Sequence, residues 1–421
     1  MNRVAITGIG AVTPVGNDAG ETWSSLVAGR SGIGPITTFD ATTFPVRIAG
    51  MVEDFDVDRY LTDRTLGRHL SRAAGFGVGA TAQALADAQV TAGTYEPHER
   101  GVAVGGSVGR AELQELADMS HELHSSQGRR IYRQAPSDVL LRDQNVGVAA
   151  MARLGGCEGP MISVSTACSG SAHAIGEAFR RIQDGEVKLM LAGGFDALTT
   201  WLDVLGFALL GALATKYNDD PQRASRPFDG ERSGFVLGEG AVVAVLEDWD
   251  AARERGAPIQ AELVGYGSSM NAYRITDAPP DGGGAILAMA SALAESGLGP
   301  GGVDYVAAHG TGTAGNDLCE TVALKSVFGP DAYRLAISSP KSMTGHLTSA
   351  AGGLNLLAAL GALREQVVPP TINHEHPDPK LDLDYVPNTA RPMRVRAVIV
   401  NAFAFGGTNA SFVVRAAEER S

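Results

Sequence analysis

The stretch Ser163 to Asp196, SVSTACSGSAHAIGEAFRRIQDGEVKLMLAGGFD, reads strand, sharp turn, helix, strand. Small residues crowd the turn at Thr166, Ala167, Cys168, Ser169 and Gly170. Ala172, Ile175, Ala178, Phe179 and Ile182 then recur at near-helical spacing, which marks a helix with one buried face. Asp184-Gly185 stops that helix. Leu189 to Gly194 is an apolar run closed by glycines, the pattern of a buried strand. Cys168 therefore stands where a strand passes into a helix. Free backbone N–H groups and the positive end of the helix dipole lie beside its sulfur. Such a setting is expected to lower a thiol's pKa, and the same N–H groups can hold a developing oxyanion. Taken alone, the stretch is equally compatible with a buried structural cysteine.

The rest of the chain narrows the choice. Its 421 residues suffice for two domains or one large duplicated fold. With 44% hydrophobic and 19% charged residues it is an ordinary globular chain, and 53 glycines imply many tight turns and close backbone approaches. A net charge of -13 argues against nucleic acid as the main partner. Three cysteines, Cys157, Cys168 and Cys319, form neither a disulfide framework nor a zinc-ligand pattern. They suit a reducing compartment, and no signal peptide is read at the N-terminus, so a cytoplasmic location is expected. The longest apolar stretches are too short and broken to span a bilayer, so no membrane association is expected.

Strand and helix patterns alternate along both halves, with a candidate boundary at Gly256 to Gln260. The halves are residues 1–256, holding Cys168, and 257–421. This alternation predicts an α/β fold with largely parallel sheets. Gly8-Ile9-Gly10-Ala11-Val12-Thr13 after the first strand lacks the third glycine of a dinucleotide fingerprint. In the second half, His309 opens HGTGT after the run VDYVAA. Lys341 and His346 lie in PKSMTGHL after another short run, and Phe405 follows the run ending at Asn401. Ligand sites of α/β sheets lie beyond the carboxyl ends of strands. Cys168, His309, His346 and Phe405 all stand there, which favours the nucleophile reading. Arg64, Arg68 and Arg72 recur every four residues and are predicted to share one helical face. That face is either simply solvated or a docking patch for an acidic partner.

These motifs resemble the β-ketoacyl-[acyl carrier protein] synthases, the condensing enzymes with a thiolase-like fold. The matching pieces are STACSG at Cys168, RPFDGERSGFVLGEG at Arg226 to Gly240, HGTGT at His309, PKSMTGHL at Pro340 to Leu347, and AFGGTN at Ala404 to Asn409. The resemblance implies duplicated halves layered α-β-α-β-α. It implies that Cys168 takes an acyl chain from a carrier-protein thioester, with its own N–H and that of Phe405 as the oxyanion hole. His309 and His346 would then hold the malonyl thioester carbonyl during decarboxylation. Lys341 would orient the second-histidine loop, and Thr311 and Thr313 would bind the phosphopantetheine arm. Phe405 would gate the site, with Val108 and Phe207 as tunnel walls. Arg64, Arg68 and Arg72 would receive the acidic acyl carrier protein. No bound cofactor is implied, since the substrates ride on the carrier protein's phosphopantetheine. The family also implies a homodimer, or a heterodimer with a chain-length-factor-like homologue.

The chain departs from the pattern at two positions. Asn355 stands where many relatives carry a glutamate, which leaves the carboxylate partner of Lys341 open, and Ser233 stands where relatives often have aspartate. Both departures point to a type II polyketide or specialised fatty acid pathway, with a housekeeping elongating synthase as the alternative. A thiolase would need a second cysteine near the C-terminal glycine loop, and none follows Cys319. An initiating synthase would lack His346, and a non-catalytic chain-length subunit would lack Cys168.

Overall fold

The computed structural model describes residues 1–61, 63–107, 109–110, 113–129 and 140–417. Numbering only the main-sheet strands and the principal helices, the first half runs β1 (Val4–Val12), α1 (Arg72–Asp87), β2 (Arg100–Gly105), α2 (Gln144–Gly155), β3 (Met161–Val164), α3 (Gly170–Gln183), β4 (Leu189–Asp196) and β5 (Gly240–Asp248). The second half repeats this order. It runs β6 (Ala261–Met270), α4 (Gly283–Ser296), β7 (Tyr305–Ala307), α5 (Ala314–Phe328), β8 (Ala336–Ser338), α6 (Ala351–Glu365), β9 (Ala397–Phe403) and β10 (Thr408–Ala416).

The numbered strands form one ten-stranded sheet, ordered β8-β7-β9-β10-β6-β1-β5-β4-β2-β3. Each half contributes its strands in the same spatial order, third, second, fourth, fifth, first. The duplication expected from the alternating pattern is therefore present in the topology itself. The halves join where β1 pairs antiparallel with β6 through Val4, Ala5 and Ile6. At that seam the buried Glu262 carboxylate receives Arg3 at 2.7 Å and Arg415 at 2.7 Å.

The expectation of a largely parallel sheet is corrected. β2, β3 and β4 run parallel to one another, as do β7, β8 and β9, but β1, β5, β6 and β10 all join antiparallel neighbours. At β9–β10 the reason is local, since the return is a tight turn with Gly406 at φ +85° and Gly407 at φ +81°. Parallel pairing needs a long crossover, whereas antiparallel pairing needs only a turn.

The layers follow from which faces are apolar. β5 places Val242, Ala244 and Leu246 in the central core and Ala241, Val243 and Val245 in an outer one. Both faces of the strand are buried, alternating with the period of two that a pleat imposes. α3 and α6 lie between the half-sheets, α1 and α2 cover the first half, and α4 and α5 cover the second. α6 is buried on every side from Ala351 to Leu363, as expected of a helix that is apolar all round. No helix among the described residues is long and apolar enough to cross a membrane.

The single helical face expected for Arg64, Arg68 and Arg72 does not exist. Arg64–His69 is a 3-10 helix, Leu70 is extended at φ -96°, ψ 128°, and Ser71 caps a new helix beginning at Arg72. The Ser71 hydroxyl accepts from the Ala74 N–H and so competes with a continuous helix at that point.

α1 packs against β1 at backbone distance because glycines face it. A Cβ built on Gly10 would lie 2.0 Å from the Ala80 carbonyl oxygen. Gly10→Ala must push α1 off the sheet. It should destabilise the protein by about 3 kcal/mol, the upper range for overpacking, as read by chemical denaturation. An unchanged midpoint would contradict this packing.

Candidate active site

The strand β3 delivers Cys168 into a tight elbow. Ala167, the residue before it, sits at φ +47°, a region costly for a residue with a side chain. The elbow lifts Cys168 out of the strand and turns its sulfur toward a cavity of about 370 Å³ lined also by His309, Thr311, Thr313, His346, Phe405 and Asn409. The backbone N–H groups of Cys168 and Phe405 both face the sulfur.

The predicted fall in the thiol's pKa is not found. Burial pushes the Cys168 thiol up to about 11, and Asp196 adds to this, while Lys341 and the two N–H groups pull against it. Desolvation of the thiolate outweighs the stabilising dipoles. At neutral pH Cys168 rests as a thiol.

His309 and His346 approach each other edge to face, with ring centroids 5.4 Å apart at 77°. Burial holds both well below the ordinary 6.5, and the Lys341 ammonium lowers both further. Both imidazoles are therefore neutral at neutral pH. His346 Nδ1 accepts from the Thr348 N–H at 3.1 Å, so its Nε2 carries the proton and is a donor. Phe235 supports that ring edge to face at 5.3 Å.

The loop carrying His309 is clamped from α5. Glu320 accepts from the His309 and Gly310 N–H groups, each at 2.8 Å, and from Asn401 Nδ2 at 3.0 Å. Asp317, one turn earlier, accepts from Thr311 and Gly312 N–H at 3.2 Å and from Phe228 N–H at 2.8 Å. Lys341 is 1% exposed, and its Nζ donates to the His309 carbonyl at 2.6 Å. Burial draws its pKa down to about 8 while Glu320 pulls it up. Lys341, expected to orient the second-histidine loop, ties that loop to the backbone of the first histidine. The missing glutamate at Asn355 is answered by Glu320. Asn355 itself donates to the carbonyls of Ala308 at 2.9 Å and Asn401 at 3.0 Å, fastening the end of β7 to β9.

Asp196, at the end of β4, completes the frame. It accepts from Ser107 Oγ at 2.9 Å, Thr348 Oγ1 at 2.5 Å and Ser349 N–H at 3.1 Å. Thr311 and Thr313 hydroxyls meet at 2.9 Å on the cavity wall. Phe207 is one step behind that wall, touching Phe235 edge to face at 5.7 Å. Val108 lies outside the described residues. Arg64 and Arg68 are exposed on the surface, but Arg72 is committed to the buried Glu239 at 2.5 Å and to the Val52 carbonyl at 2.7 Å. Sequence reading missed Glu320, Asp317, Asp196 and Phe235. For the first two the signal was available, since both are acidic residues three apart on the helix directly after HGTGT.

Two outcomes follow. With the thiol at about 11, the thiolate fraction at Cys168 rises about tenfold per pH unit, so iodoacetamide alkylation should climb without a plateau from pH 7 to 9. A plateau near pH 8 would show a depressed thiol instead. Glu320→Leu removes the acceptor of two buried N–H groups and a neighbouring charge of buried Lys341. It should cost about 3–5 kcal/mol, the scale for breaking a buried ionic arrangement, measured by urea denaturation.

Comparison with known proteins agrees with this geometry. The profile described as "Beta-ketoacyl synthase, N-terminal domain" matches residues 1–252, and "Beta-ketoacyl synthase, C-terminal domain" matches residues 260–375. The chain is 43% identical over 413 residues to a 3-oxoacyl-[acyl-carrier-protein] synthase 2 of Synechocystis sp., covering 98% of each. Among solved structures it resembles the ishigamide ketosynthase/chain length factor, with a TM-score of 0.89 and 33% identity over 99% of this chain and 100% of that one. It also resembles a chain from a type II PKS acyl-carrier protein in complex with its ketosynthase, with a TM-score of 0.87 and 31% identity over 99% of this chain and 100% of that one. The fold is thiolase-like, and the chain belongs to the β-ketoacyl synthase family and is a condensing acyltransferase.

Proposed function

We propose that this chain is an elongating β-ketoacyl-[acyl carrier protein] synthase of fatty acid synthesis that uses no bound cofactor. One observation carries the mechanism: a thiol facing two backbone N–H groups shares a cavity with two neutral imidazoles. The Cys168 sulfur attacks an acyl thioester, the carbonyl charge is held by the Cys168 and Phe405 N–H groups, and the carrier thiol leaves with the proton. Malonyl thioester then binds with its carbonyl at His309 and His346. Loss of CO2 leaves its electron pair as an enolate on that carbonyl, where the two imidazoles stabilise charge that exists only as the bond breaks. The enolate carbon attacks acyl-Cys168 and expels the thiolate, which takes up one proton. The product is a β-ketoacyl thioester two carbons longer.

Neutral imidazoles suit this role, since a donor for a transient oxyanion need not be an acid. Thr311 and Thr313 are placed by this reading along the pantetheine arm, and Phe405 is the gate. Arg64 and Arg68 are the docking cations for an acyl carrier protein, without Arg72, whose charge Glu239 already holds.

The name of the Synechocystis relative, at 43% identity along the whole length, favours fatty acid elongation over the specialised pathway suggested by Asn355 and Ser233. A type II polyketide ketosynthase working with a homologous partner is the second reading, favoured by the structural likeness to ketosynthases of that kind. Incubation with acyl-carrier proteins of graded chain length separates them. Elongation by the chain alone supports the first; activity that needs a co-expressed homologue supports the second.

Cys168→Ala should show no acyl adduct by intact mass. His309→Ala and His346→Ala should still acylate but decarboxylate malonyl-carrier protein roughly a hundredfold more slowly, the scale for losing one oxyanion donor. Normal condensation by either histidine variant would refute the two-donor mechanism. Arg64→Glu with Arg68→Glu should raise KM for carrier protein severalfold with kcat little changed, an effect that shrinks with added salt.

A further inference from the structure

The oxyanion hole is assembled from two separate parts of the fold. One N–H belongs to the elbow after β3 in the first half, and the other to the turn between β9 and β10 in the second. Their spacing must be set by something that spans the halves. Within the second half the turn is held by the Gly406 N–H on the Ile275 carbonyl and the Asn271 N–H on the Gly407 carbonyl, each at 2.7 Å, and neither bond reaches the first half.

A string of hydroxyl groups does span them. Ser169 Oγ lies 2.8 Å from the Thr166 carbonyl and 2.9 Å from Thr408 Oγ1. Thr408 Oγ1 is itself 3.4 Å from the Thr166 carbonyl. Both hydroxyls can donate to the Thr166 carbonyl, which has two lone pairs, or one can donate to the other and that one to the carbonyl. In every case the carbonyl directly before the strained Ala167 is the final acceptor. Ser169 is fully buried, so its hydroxyl cannot exchange these partners for bulk water without cost. Thr408 is the first residue of β10, and its carbonyl receives the Ala404 N–H at 2.9 Å, which closes the turn that presents Phe405. The far side is braced by His173. Its Nδ1 lies 3.1 Å from both Thr166 Oγ1 and the Ser169 carbonyl, and its Nε2 lies 3.1 Å from Ser268 Oγ on β6. None of these side chains lines the cavity, so none contacts a substrate there.

We propose that Ser169 and Thr408, braced by His173, are positioning residues that hold the nucleophile elbow and the Phe405 turn at the separation the oxyanion hole requires. This rests on the condensing reading above. The knot serves the thioester carbonyl at Cys168. It does not touch the His309–His346 pair, which is held from Glu320 and Lys341. Loosening it should therefore harm acyl transfer and spare decarboxylation.

The test uses the full-length protein with Thr408→Val, Thr408→Ser and Ser169→Ala. Acyl transfer to Cys168 is followed by rapid-quench intact mass. Decarboxylation of malonyl-carrier protein is followed by CO2 release in the same variants carrying Cys168→Ala. Thr408→Val and Ser169→Ala should slow acyl transfer about tenfold to a hundredfold, the scale of a sub-ångström to ångström misplacement. Decarboxylation should stay within about threefold, and Thr408→Ser, which keeps the hydroxyl, should restore acyl transfer. Equal loss in both half-reactions would mean a general structural role and overturn the proposal, as would unchanged acyl transfer in Thr408→Val. If Thr408→Val fails to fold, Ser169→Ala decides by the same split. A wild-type protein that takes no acyl group refutes the condensing reading and this inference with it, whereas normal wild-type acylation beside an unaffected variant refutes the inference alone.

Discussion

Lys341 is a buried ammonium whose placement constrains the rest of the site. Removing such a charge from water costs several kcal/mol unless the protein replaces the lost hydration. Here the replacement is the His309 carbonyl at 2.6 Å with the Glu320 and Asp317 carboxylates nearby. Those carboxylates have their own needs, which the backbone N–H groups of residues 309 to 312 satisfy. One buried cation thus organises α5, the HGTGT loop and the PKSMTGHL loop into a single polar unit. Burial keeps both histidines from protonating, and the same cation adds to it. They are left as neutral rings that face one another across the cavity.

The duplicated topology explains why these loops meet. Cys168, His309, His346 and Phe405 follow β3, β7, β8 and β9, all members of the parallel groups in the two half-sheets. Their carboxyl ends open onto one cavity because α3 and α6, sandwiched between the half-sheets, begin beside it. α6 has no polar face to offer solvent and must lie inside. Burying it there also buries the first turns that follow Cys168 and His346, which is why the site's titratable groups are desolvated so strongly.

Much of the site was legible because it is written in local signals. Glycine and threonine next to histidine, a cysteine in a run of small residues and a lysine five residues before a histidine are short motifs at strand ends. The exceptions are instructive. The thiol's pKa went the opposite way, because the helix terminus is visible in sequence but the depth of burial is not. Arg72 fits a four-residue period with Arg64 and Arg68, yet Ser71 caps a new helix there and Glu239, 167 positions away, takes the charge. Asn355 looked like a missing partner for Lys341 until Glu320 emerged on a different helix.

Sequence alone was enough for the alternation of strand and helix, the repetition of that order in two halves, and the cysteine and two histidines that line one cavity. These depend on period, turn chemistry and residue type over windows of a few residues. Only the folded chain shows that the sheet is mixed and continuous across the halves, that both imidazoles are neutral and the thiol protonated, and that the two N–H groups facing the sulfur come from opposite halves. These depend on desolvation and on distances between residues hundreds of positions apart, and no local pattern encodes either quantity.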